Sequence, residues 1–166
     1  MDKQQKILLA IVAAVLAVAL IVVGIIVGTR GNDVQDFVPP PFDETAVVGM
    51  SSLPSEEQGF QTFSVSEELS FGMCGNLIYK DGRVDVSFLS SGSNTVWVRV
   101  KLVDRKDKVL AESGLIRPGE YVQYLSLSTV PRDGSGFKVK IYTYEPETYY
   151  SKGSATAEVR IVKPTE

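Results

Sequence analysis

The chain of 166 residues carries 17 basic and 20 acidic side chains, a net charge of −3, one cysteine and no histidine. That balance offers no net basic field to attract a phosphate backbone, and without histidine the commonest general base, the Ser-His-Asp triad and most zinc sites are excluded. One cysteine also rules out an internal disulfide.

Residues 1–6 read as a short cytoplasmic tail. From Ile7 to Val27 the sequence is apolar without interruption. As a helix this run spans about 31 Å, enough to cross the hydrocarbon core of a bilayer. A cleaved signal would have a shorter apolar stretch and a small-x-small site, and Ile26-Val27-Gly28 is poor at its first position. The expectation is therefore an uncleaved transmembrane helix over 7–27. Lys3 and Lys6 on its amino side, against Arg30 alone on the other, place the amino terminus in the cytoplasm and the rest outside. That makes a single-pass plasma-membrane protein with the lipid bilayer as a partner. Gly24 and Gly28 form a GxxxG step through which two such helices could pair as a homodimer.

Composition changes at the end of the run. Residues 28–60 hold Pro39, Pro40, Pro41 and Pro54, and six acidic side chains against Arg30. Three consecutive prolines favour an extended polyproline conformation, so this segment is expected to be an extended linker.

Residues 61–164 have a period of two. Val84, Val86 and Phe88 alternate with polar residues, as do Val96–Leu102, Phe137–Ile141 and Ala155–Ile161. Shorter candidates lie at Leu77–Tyr79, Val109–Ser113, Tyr121–Leu127 and Gln61–Val65. Asp81-Gly82, Ser90–Asn94, Pro118-Gly119 and Asp133-Gly134 supply turn chemistry between them. Seven or eight short antiparallel strands predict an all-β, two-sheet sandwich. Cys74 reads as a small buried apolar residue, or as a free thiol if exposed.

The pieces VDVSFLSSGSNTVWVRVKLVD, LIRPGEYVQYLSLS and GFKVKIYTY, spanning Val84–Tyr144, resemble an immunoglobulin-like module of bacterial surface proteins. The order of anchor, spacer and module is similar to that of small single-pass membrane proteins of Gram-positive bacteria. The resemblance implies an immunoglobulin-like antiparallel β-sandwich and is silent on ligand.

Chemistry-bearing patterns are sparse. Gly49–Pro54, with Ser51 and Ser52, looks slightly like the serine motif of signal peptidases, but no matched lysine precedes the Arg117-Pro118-Gly119-Glu120 turn. Asp104 with Asp107 reads as a solvated hairpin loop, and Glu145 with Glu147 lacks the further oxygen ligands calcium needs. No metal and no cofactor are expected. Lys138, Lys140, Lys101 and Arg99 make an ordinary solvated strand face. The best contact surface is aromatic: Tyr142, Tyr144, Tyr149 and Tyr150 cluster around the last hairpin, and tyrosine gives large contact area at low entropic cost. The functional expectation is a non-enzymatic, membrane-anchored module that binds an extracytoplasmic protein, glycan or wall polymer. A membrane-bound serine–lysine hydrolase and a structural subunit of an envelope complex are its rivals.

Overall fold

The computed structural model describes residues 38–50, 52–129 and 134–163. The chain divides into two units, Met1–Val38 and Pro39–Glu166, and the fold below is that of the second. Its strands are β1 (Val47–Val48), β2 (Phe60–Ser64), β3 (Ser70–Cys74), β4 (Asn76–Lys80) and β5 (Arg83–Ser90). Then follow β6 (Trp97–Val103), β7 (Val109–Ile116), β8 (Glu120–Ser126), β9 (Gly134–Tyr144) and β10 (Ser151–Val162). One 3-10 turn, Glu56–Gln58, precedes β2.

Alternation decides which side chains enter the core. Val84, Val86 and Phe88 of β5, Val98, Val100 and Leu102 of β6, and Val139 and Ile141 of β9 have no exposed surface. Trp97, Arg99 and Lys101 fall between the buried residues of β6 and lie on the opposite face, half-buried. Phe63, Phe71 and Phe88 stack in series, with ring centroids 5.1 and 5.5 Å apart. The β4–β5 hairpin turns on Asp81 and Gly82, both at positive φ (51° and 77°), as a tight two-residue hairpin turn requires.

The sheet corrects the expected two-sheet sandwich. Its hydrogen-bonded path runs β1-β8-β5-β4-β10-β9-β6-β7 without a break, with β2 and β3 attached. The continuity comes from the β3–β4 segment, interrupted at Gly75. β5 pairs with both of its halves, whereas the opposite side meets β2 along β3 and β10 along β4. The β10–β4 ladder is parallel, Arg160↔Asn76 to Val162↔Ile78, and carries the hydrogen bonding from one layer into the next. β8 and β7 lie near opposite ends of the path, yet only Arg117–Gly119 separates them in sequence. A sheet whose far strands are joined by so short a turn must curl, and the result is an all-β half-barrel.

The anchor is corrected as well. Among the described residues no helix is long and apolar enough to cross a membrane. The expected span 7–27, with Gly24 and Gly28, lies outside the described residues. The bilayer partner, the homodimer through that helix, the single-pass topology and the plasma-membrane localisation thus have no support in the structure.

Residues 39–49, expected to belong to an extended linker, lie along the half-barrel as an arm. Phe42 forms a parallel bridge with Leu115 of β7. The Asp43 N–H donates to the Leu115 carbonyl (2.8 Å), and the Leu115 N–H to the Pro41 carbonyl (2.8 Å). Asp43 then redirects the chain: one carboxylate oxygen accepts from the Thr45 N–H (2.9 Å) and hydroxyl (2.6 Å), the other from the Gly114 N–H (2.8 Å). Beyond this pivot β1 pairs with β8, Val47↔Tyr121 and Val48↔Glu120. One short segment thereby covers an edge of both β7 and β8.

Asn94 closes the other end. Its side-chain oxygen accepts from the Ser70 N–H (2.7 Å), and its amide donates to the Ser70 carbonyl (2.9 Å) and the Ser90 hydroxyl (3.1 Å). It takes the place of a strand residue beside β3. Asn94→Ala strands the Ser70 N–H, while the Ser70 carbonyl keeps the Ser91 N–H (3.1 Å), so a loss of about 1–3 kcal/mol is expected in urea unfolding; Asn94→Asp should retain the bond from the Ser70 N–H and lose that to the Ser70 carbonyl.

Candidate functional site

The outward face of β6 and β9 carries the aromatic residues that the core does not use. Trp97 opens β6 and pairs in register with Tyr144 of β9. Phe42 from the arm meets the Trp97 ring edge-on, centroids 4.8 Å apart, and Tyr149 meets it from the β9–β10 turn at 5.2 Å. The Arg117 guanidinium lies 3.5 Å from the Phe42 ring centroid, a cation–π contact. Glu120 aims it, bonding both the Arg117 N–H (2.7 Å) and the guanidinium (3.1 Å).

The turn that presents Tyr149 is strained. Glu147 (φ 70°) and Tyr149 (φ 60°) both occupy the left-handed region, which a bulky side chain enters only at a cost. Three backbone bonds hold it there: Glu145 N–H to the Tyr150 carbonyl (2.8 Å), Thr148 N–H to Pro146 (2.8 Å) and Tyr149 N–H to Glu145 (3.0 Å). The Thr148 hydroxyl donates to the Glu145 carboxylate at 2.7 Å.

Of the four tyrosines singled out in the sequence, Tyr142 and Tyr144 leave the core face as alternation requires and are half-buried. Tyr149 is half-buried against Trp97, and Tyr150 is 73% exposed. Lys101 stands 5.6 Å from the Tyr142 ring centroid and, with Arg99, grips Glu112 of β7 (3.2 and 2.8 Å). Phe42, Arg117 and Gly114 escaped the sequence reading. A lone aromatic in a proline segment, and a glycine inside a strand pattern where another backbone can approach, were the available signals.

Elsewhere, Ser52 is exposed and Ser51 lies outside the described residues. Arg117–Glu120 is a closed turn bound to its own carboxylate. Among the described residues no group of three or more His, Cys, Asp or Glu side chains is placed to hold a metal ion. A polar knot lies beneath β8. Ser87, buried at φ 41°, donates to Asp85 (2.7 Å) and shares a 3.0 Å contact with the Tyr121 hydroxyl. Burial pushes the neighbouring Cys74 thiol up to about 11; a Ser87 hydrogen bond opposes that rise and the Asp85 charge adds to it. Burial raises Tyr121 too, for the same reason.

No protein-family model and no curated protein matches this sequence. The resemblance to immunoglobulin-like modules therefore rests on turn spacing alone.

Proposed function

We propose that the domain is a non-catalytic binding module whose contact surface is the aromatic outer face of β6 and β9 with the β9–β10 turn. The observation that carries this reading is Tyr149, held at positive φ against Trp97. Backbone strain of this kind costs on the order of 1–3 kcal/mol, persists where the surrounding structure holds it, and clusters at ligand-binding and switch regions. Tyr144 and Tyr150 extend the surface, and Arg99, Lys101 and Glu112 border it with charge. Aromatic anchors with a polar border are the usual composition of a protein-binding patch. The lack of histidine in the chain supports a role without acid–base catalysis.

The test uses a double variant, Tyr144→Ala with Tyr150→Ala. Tyr150 is mostly exposed and Tyr144 points away from the core, so the variant should melt within about 1 kcal/mol of the parent. A partner retained by the immobilised parent chain should be lost from this variant. Equal retention by a normally folded variant would place the contact surface elsewhere.

A further inference from the structure

We propose that the outer edge of β7, together with Trp97, is a recognition site for an extended peptide carrying an aromatic residue followed directly by an acidic one. In the free protein Phe42 and Asp43 of the chain itself occupy it. The inference rests on the binding-module reading and deepens it by naming the class of ligand.

Each part of the seat reads a different property of its occupant. Leu115 donates to one backbone carbonyl and accepts from the N–H two residues on, which selects an extended strand rather than a turn. Gly114 allows that strand to come close: a Cβ there would lie 2.7 Å from the Phe42 carbonyl carbon and from the Asp43 Cα. Its own φ is not in the left-handed region, so the missing side chain, and not backbone freedom, is what the seat uses. Trp97 and Arg117 enclose an aromatic ring from its edge and its face. The Gly114 N–H takes the carboxylate of the next residue. The sequence Pro-Phe-Asp of the arm answers all four requirements.

The arm buries little apolar surface beyond Phe42 and Ala46. Its attachment is polar and local: the Phe42 bridge and ring contacts, the Asp43 carboxylate, a Gly49 N–H to Gly119 carbonyl bond (2.8 Å) and a two-residue strand whose Val47 and Val48 are 52% and 88% exposed. A segment with so little buried apolar surface opens locally without unfolding the rest. An incoming peptide competes only with a tethered copy of itself, whose effective concentration is in the millimolar range. The resident arm consequently sets a threshold that a partner has to exceed.

The only tryptophan of the chain lies in the seat and reports its occupancy. In the full chain, Phe42→Ala with Asp43→Ala vacates the seat and should move Trp97 emission to longer wavelength. A synthetic peptide of residues 38–48 should reverse that shift and saturate. The wild-type chain should need at least about tenfold more peptide, and the peptide with its phenylalanine replaced by alanine should lose at least about tenfold in affinity. Gly114→Val, which blocks the seat but keeps the arm sequence, should show the vacated emission and no response to peptide. If the double variant does not fold, Asp43→Asn alone supports the same titration, with a smaller initial shift.

Three results would overturn the proposal: no saturable response in a folded, vacated chain; equal binding of the alanine peptide; or self-association of the vacated chain with indifference to peptide. A failed titration beside a Tyr144/Tyr150 variant that still loses its partner removes this inference and leaves the binding-module reading. A successful titration with no effect of those tyrosines removes the broader surface instead.

Discussion

Replacing Phe88 by alanine is expected to lower stability by about 4 kcal/mol and Tm by roughly 15 °C. Phe88 is fully buried and stacks on Phe71, which stacks on Phe63. Truncation removes transferred apolar surface, leaves a cavity and breaks a ring–ring contact, and the three losses act in the same direction. Val139→Ala removes less volume from an equally buried position and should cost about 2 kcal/mol. Tyr150→Ala, at 73% exposure, should stay within about 0.5 kcal/mol. Tyr149→Ala falls between, because its Trp97 contact is lost while alanine keeps the Cβ that makes φ 60° costly. Thermal melts of the four variants give the order. If Tyr150→Ala unfolds as easily as Val139→Ala, that ring is packing and not contact surface.

A second large effect is expected at alkaline pH. The Cys74 thiol, near 9 when unfolded, is held at about 11 in the fold, chiefly by burial. Between those values the unfolded chain has lost a proton that the folded chain keeps, so stability falls as pH rises. The contribution is fully present below pH 9 and is gone above about 11, a loss on the order of 2–3 kcal/mol. Tyr121, raised for the same reason, adds to the decline in that direction. Urea midpoints measured from pH 8 to 11 should show the slope. Cys74→Ala should flatten most of it even though it lowers the midpoint at pH 8. An unchanged slope in that variant would mean that another group, or the chain's growing negative charge, drives the alkaline transition.

Strand positions were legible because alternation is a local signal. Val84–Phe88, Val96–Leu102, Phe137–Ile141 and Ala155–Ile161 fall on β5, β6 (which begins one residue later, at Trp97), β9 and β10, with their apolar residues directed inward. β3 was not, because Gly72 interrupts its apolar pattern. The gap has a tertiary cause: the Phe60 ring of β2 covers that glycine, and a Cβ would overlap it. Topology was the larger miss. Two separate sheets and one curled sheet differ in a three-pair parallel ladder between β4 and β10, and no local pattern encodes which distant strand fills an edge. The arm was hidden by composition, since prolines and acids dominate it and its pairing with β7 and β8 runs mostly through the backbone and the Asp43 carboxylate. The four tyrosines were visible in the sequence, and two of them, Tyr142 and Tyr144, lie on the face opposite Val139 and Ile141. Trp97 falls between the buried positions of β6, which alternation puts on the outer face, but Phe42 and Tyr149 reach it from segments the sequence does not connect.

The parallel ladder between β4 and β10 also sets a schedule. A chain delivered from its amino end can form the β4–β5 hairpin early, because the two strands are neighbours in sequence. β4 then has one side without a partner until Arg160–Val162 arrive. Pairings of such long sequence separation form slowly, and an unpaired strand edge is where misassembly starts. Final closure of this domain is therefore an event that follows synthesis of the last strand. A chain ending short of Arg160 would hold every strand of the first layer and still present the β4 edge to any other nascent copy.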